Sequence, residues 1–178
     1  MARDMLETGC PVEVIDSEML SMSVGLIAIA AAQMAKAGES MDKIVEGVKQ
    51  AIPKTYLFFL LDTLEYLKRG GRIGKAKALL GSVLNLKPML TVKDGELVPA
   101  GQVRTRAKGM DKLFDYVKEV ADIQDLAVVY NTTPDEAQAL AERIGSVFDR
   151  EKIRIARVGP GLGAHAGPGA MLVAIRKA

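Results

Sequence analysis

Short runs of β-branched and aliphatic residues alternate along this chain with longer stretches in which apolar positions recur every three or four residues. The first pattern marks buried strands and the second marks helices with one apolar face. Residues 12–15 read as an opening strand, followed by an apolar helix over residues 20–37 that Gly38 closes as a C-cap. Ser40 can cap the next helix, whose stripe Ile44, Val45, Val48 and Ile52 ends at Pro53. Residues 56–61 form a strand and residues 63–67 a helical turn, broken by Gly70-Gly71. A helix is expected over residues 75–86, with Leu79, Leu80, Val83 and Leu84 on one face. Strands at 88–92 and 96–103 flank Lys93-Asp94-Gly95, a strong hairpin signal because Asp-Gly tolerates positive φ. Helices over 106–120 and 135–148, the second opened by Thr133-Pro134, bracket a strand at 126–130. Strands at 153–158 and 171–175 complete the series and flank a glycine-rich stretch.

Strands and helices alternate throughout, so the class is α/β, and the hairpin requires at least one mixed sheet. A boundary between two lobes fits best near residues 53–56. Residues 1–54 would then be the end of a parallel-sheet first lobe, and residues 55–178 a mixed-sheet second lobe containing the hairpin. A single opening strand cannot bury itself. It must pack on the rest or continue a sheet that begins upstream.

Composition narrows the picture. The chain is 49% hydrophobic but only 4% aromatic, without tryptophan, so its core is aliphatic with nine Met available as filler. A lone cysteine, Cys10, excludes an internal disulfide framework and fits a reducing compartment. Met1 is followed by Ala-Arg-Asp and not by an apolar run, and the most apolar stretch is interrupted by Ser21, Ser23 and Gln33. A cytoplasmic protein without a membrane span is expected. The net charge of +2 hides an asymmetry: residues 68–108 hold ten basic residues against two acidic ones, a net +8. The other residues, 14 basic and 20 acidic, net −6. Such polarity suggests an anionic ligand or an acidic partner surface.

Candidate chemistry concentrates in residues 159–169, GPGLGAHAGPG, which hold five of the 17 glycines, two of the seven prolines and the only histidine, His165. Glycine lets a ligand approach the backbone closely, and histidine titrates near neutrality. A tight connection between strands explains the same composition without a ligand. Residues 70–76, GGRIGKA, fail as a nucleotide phosphate loop because the glycines are too close and Ala76 stands where a magnesium-binding hydroxyl belongs. Gly161 and Gly163 fail as a dinucleotide fingerprint because position 166 is alanine. One His and one Cys do not make a zinc site. Arg72 is a candidate anion ligand by its planar fork. Arg104 and Arg106 at a helix start oppose the macrodipole, so local stability does not explain them. His165 could serve Ser17, Ser21 or Ser23 in a hydrolase or transferase, although no nucleophile elbow surrounds them. The basic segment could bind nucleic acid, but no aromatic residues interleave for stacking.

Residues 64–73 (LEYLKRGGRI), 81–92 (GSVLNLKPMLTV), Arg104-Thr105-Arg106 and residues 163–169, together with Val14-Ile15-Asp16-Ser17, Ser21 and Gly25, resemble the DegV family of bacterial fatty-acid-binding proteins. The matches run in family order along the chain. The resemblance implies a two-lobed α/β protein holding one long-chain fatty acid between its lobes. Such a protein presents the carboxylate to a separate fatty-acid kinase and performs no phosphoryl transfer itself. It implies Arg72, His165, Gly163 and Ala164 at the head group, Leu80, Leu84 and Leu90 along the acyl tunnel, and Arg104 and Arg106 at the kinase contact. A monomer with no cofactor beyond its lipid, no metal and no nucleic-acid partner is expected. The chain departs from the family pattern at Ala164, where threonine usually precedes the histidine, and at Ser23, where glycine is frequent. The family normally begins well upstream, so the chain is expected to lack the front of the first lobe.

Overall fold

The computed structural model describes residues 11–81 and 86–178. Six strands form one open mixed sheet: β1 (Thr55–Leu60), β2 (Lys87–Lys93), β3 (Glu96–Val103), β4 (Ile123–Tyr130), β5 (Ile153–Arg157) and β6 (Met171–Lys177), in the order β3-β2-β1-β6-β4-β5. Every pair is antiparallel except β4–β5, which is parallel and joined by a helical crossover. Among the described residues six α-helices accompany the sheet: α1 (Met22–Lys36), α2 (Met41–Ala51), α3 (Glu65–Arg69), α4 (Arg106–Glu119), α5 (Pro134–Ile144) and α6 (Pro160–Ala166).

The side-chain alternation of the strands divides the core in two. Leu57, Phe59, Leu90, Val129, Leu172 and Ala174 face one side, where Leu26 of α1, Leu67 of α3 and Ala166 of α6 cover them. Leu60, Met89, Val128, Met171, Val173 and Ile175 face the other, under Leu113 and Val117 of α4 and Leu140 and Ile144 of α5. Strand β6 is therefore apolar along both faces, and residues 171–175 are fully buried. The hairpin turns at Asp94 and Gly95, both at positive φ, as the Asp-Gly pair demands. On the second face Phe58 stacks on Tyr116 with ring centroids 4.2 Å apart, and the Tyr116 hydroxyl donates to the Ala100 carbonyl.

Several expectations are corrected. Residues 12–15 join no strand of the described sheet, and Val14 is 70% exposed. Residues 11–54 thus add no strand to the sheet, and α1 lies across β6 and β4 with α2 packed on it. The helix expected over residues 75–86 is a 3-10 segment, Gly74–Leu79, because Gly74 enters it at φ +50° and Ala76 anchors it in the core. Val83 and Leu84 lie outside the described residues, as does Cys10. Helix α5 stops at Ile144, where Gly145 follows, four residues before Phe148. The glycine-rich stretch contains the helix α6: Pro160 presets the first turn, and Gly167 at φ +76° ends it.

Candidate functional site

Helix α3 ends at Gly70, and α6 packs directly against that end. A Cβ placed on Gly70 would lie 2.0 Å from His165 Nδ1 and 2.5 Å from its Cε1, so only glycine leaves room for the imidazole. Nδ1 is buried there without a hydrogen-bond partner. In either tautomer Nδ1 leaves one function, a proton or a lone pair, unpaired among the described residues. The Gly70 carbonyl accepts a hydrogen bond from Arg72 Nη1 at 3.3 Å. One glycine thus touches both the histidine and the arginine.

His165 and Arg72 line a cavity of about 210 Å³ whose remaining wall is apolar. Phe59 and Leu61 reach it from β1 and its end, Leu90 and Leu97 from the hairpin, and Leu162 and Ala166 from α6. Leu67 and Leu20 complete it. The result is a greasy chamber whose accessible lining is apolar, with Arg72 and His165 contributing carbon atoms to its wall, a form suited to a mostly hydrocarbon molecule.

Two consecutive side chains from the β4–α5 turn hold the segment that carries His165. Asn131 Nδ2 donates to the Gly167 carbonyl at 2.7 Å, and Thr132 Oγ1 accepts from Gly169 N–H at 2.9 Å. Glycine is needed at Gly167 and Gly169, where φ is +76° and +72° and a Cβ would strike Tyr66 or Asp62. Neither Asn131 nor Thr132 stands out in the sequence, where Asn-Thr-Thr-Pro reads as a helix start. Leu20, Leu97 and Leu162 escaped the sequence reading because ordinary leucines carry no signal of what they line.

The other predicted residues divide. Leu90 lines the cavity, whereas Leu80 is 46% exposed and lies off its wall; Leu84 is outside the described residues. Gly163 is inside α6, its N–H bonded to the Gly159 carbonyl, and Ala164 is exposed; neither borders the cavity. Arg104 is exposed and forms no ion pair with any described residue. Arg106 instead turns inward. Its Nε and Nη2 grip Glu136 at 2.9 and 2.7 Å, and Nη1 approaches Asp62, which also pairs with Lys87 at 2.6 Å. Hydrogen bonding from the Arg106 guanidinium holds the Glu136 carboxyl below its ordinary range. Arg106 thus finds acidic partners within the chain. Among the described residues, four of the ten basic residues of the 68–108 segment form ion pairs: Arg69, Lys75, Lys87 and Arg106. None of the hydroxyls of Ser17, Ser21 or Ser23 hydrogen-bonds His165 among the described residues; Ser23 Oγ donates to the Leu20 carbonyl. No helix among the described residues is long and apolar enough to cross a membrane.

The family model described as "Uncharacterised protein, DegV family" matches residues 1–178. The chain belongs to the DegV family. A DegV domain-containing protein of Streptomyces coelicolor is 39% identical over 172 residues, covering 95% of this chain and 61% of that protein. Among solved structures, a fatty-acid-binding DegV family protein from Thermus thermophilus superposes with a TM-score of 0.88 at 28% identity, covering 99% of this chain and 64% of that one. A second, the fatty-acid-binding DegV family protein of Streptococcus agalactiae, gives 0.84 at 27%, with 93% and 60% covered. This DegV chain therefore spans about three fifths of the length of the relatives it matches.

Proposed function

We propose that this protein binds a long-chain fatty acid, with the hydrocarbon in the apolar chamber and the carboxylate at Arg72 and His165. The observation that carries the reading is the pairing of these two side chains through Gly70 on the wall of an otherwise apolar cavity. A guanidinium and an imidazole N–H suit a carboxylate, while leucine and phenylalanine suit its tail. The fatty-acid-binding DegV relatives from Thermus thermophilus and Streptococcus agalactiae support the same ligand class.

The protein then acts as a carrier and not as an enzyme. It delivers the carboxylate to a separate kinase in the cytoplasm, with the exposed Arg104 at the contact and Arg106 braced behind it by Glu136. Residues 1–54 belong to the lobe that closes over the lipid, and residues 55–178 form the lobe described by the sheet.

Organic extraction of the purified protein followed by mass spectrometry tests the binding step. A stoichiometric long-chain acid is expected, with the bound amount falling sharply in His165→Ala and Arg72→Ala. Lipid retained equally by both variants would overturn the head-group assignment. The carrier step predicts acyl phosphate only when kinase and ATP are both supplied.

A further inference from the structure

Residues 16–21 form a short strap that carries Leu20 to the cavity, and Leu20 is the one cavity-lining residue among residues 11–54. The strap is held by its own polar groups. Asp16 Oδ1 accepts the Glu18 N–H at 2.8 Å, and Ser17 Oγ accepts the Met19 N–H at 3.4 Å. Glu18 and Ser21 sit at φ +53° and +59°, a left-handed conformation that costs side-chain-bearing residues energy and persists only where the surroundings enforce it. Leu20 lies between them. The Ser23 hydroxyl, fully buried in the first turn of α1, donates to the Leu20 carbonyl and ties the strap to the helix. Beyond the strap, Glu18 lies against the hairpin turn at Gly95. Side chains of Asp16, Ser17 and Ser23 thus fix the backbone on either side of Leu20.

We infer that Leu20, pinned by Ser23, determines which acyl chains the cavity admits, by closing one wall with a single adjustable side chain. The inference rests on the fatty-acid reading above and adds a residue that selects within that ligand class. A branched four-carbon side chain across a chamber of about 210 Å³ takes up room that a longer or cis-kinked chain needs. Ser23 is a positioning residue here: it acts through the Leu20 backbone and touches no ligand.

The test equilibrates the protein with an equimolar mixture of myristic, palmitic, stearic and oleic acids and measures the bound distribution by mass spectrometry. Leu20→Ala is expected to raise the share of the longer and cis-unsaturated acids about threefold, and Leu20→Phe to shift it toward the shortest. Ser23→Ala shifts it in the same direction as Leu20→Ala, by less. Hydrogen exchange without lipid reads the pin alone: loss of one buried hydrogen bond speeds amide exchange across residues 16–22 by roughly tenfold in Ser23→Ala. An unchanged distribution in all three lipid-bound variants overturns the inference and leaves the fatty-acid reading standing. Unchanged exchange in Ser23→Ala overturns the pin. Failure of the unsubstituted protein to take up any of the four acids overturns both the inference and the reading it rests on.

Discussion

Replacing Gly70 with alanine probes the site at the point where its two polar groups meet. Gly70 has φ −77°, which alanine adopts freely, so the backbone itself does not resist the change. The obstacle is His165. The new methyl carbon would lie 2.0 Å from Nδ1, well inside van der Waals contact, so the imidazole must swing away or α6 must move off α3. Overpacking of this kind costs roughly 1–3 kcal/mol. At this chain length that lowers Tm by roughly 2–4 °C per kcal/mol. The effect on function is larger and separable. If His165 supplies a hydrogen bond to a carboxylate, its displacement forfeits about 1.5–3 kcal/mol of binding. That is roughly 10- to 150-fold in Kd for palmitic acid. Gly71→Ala is the control. At Gly71, with φ +66°, a Cβ meets nothing within 4 Å, so alanine costs about 1–2 kcal/mol of backbone strain but leaves His165 in place. Fluorescent fatty-acid displacement and thermal unfolding on both variants separate the two effects. Equal Kd values for the two variants would refute the reasoning, whatever their Tm values.

Three other predictions follow from the surrounding network. The depressed Glu136 carboxyl binds its proton less readily folded than unfolded. Its pair with Arg106 is therefore fully stabilising above the ordinary value of 4.5 and loses that contribution as pH falls below it. Urea unfolding at pH 7 should show Glu136→Gln about 1 kcal/mol less stable than the parent, after discounting for partial exposure of the pair. The gap should narrow progressively as pH falls below 4.5, and a gap independent of pH would contradict the pairing. Asn131→Ala, by freeing the Gly167 carbonyl, should weaken palmitic acid binding several-fold with a stability loss of about 1 kcal/mol. Arg104→Glu should leave lipid binding and unfolding unchanged within about 0.5 kcal/mol. It should slow acyl phosphate formation when kinase and ATP are supplied; lost lipid binding would place Arg104 in the cavity machinery instead.

Much of the fold was legible because local signals agreed with the tertiary structure. The Asp94-Gly95 turn, the aromatic and aliphatic run of β1 and the continuously apolar start of β6 each announced their element. A helix is suggested there by the spacing of Leu79, Leu80, Val83 and Leu84, which begins only at the end of the 3-10 segment Gly74–Leu79, where close approach of Gly74 to Leu97 accompanies the tighter turn. Residues 12–15 carry strand propensity but join no strand of the described sheet, and propensity alone does not make a strand. At the site, His165 and Arg72 were conspicuous as chemistry. Their meeting was not, since it depends on a steric fit at Gly70, 95 positions from the histidine in sequence. Arg106 illustrates the converse. Its position at a helix start opposes the macrodipole, and the structure pairs it with Glu136, thirty residues along the same chain.

The most direct test of the central claim is a structure of the protein equilibrated with palmitic acid. The account predicts elongated density in the chamber between Phe59, Leu90 and Leu162. The carboxylate should lie about 2.6–3.2 Å from His165 Nε2, within reach of the Arg72 guanidinium. A chain bound elsewhere, or bound with its methyl end toward His165 and Arg72, would contradict it.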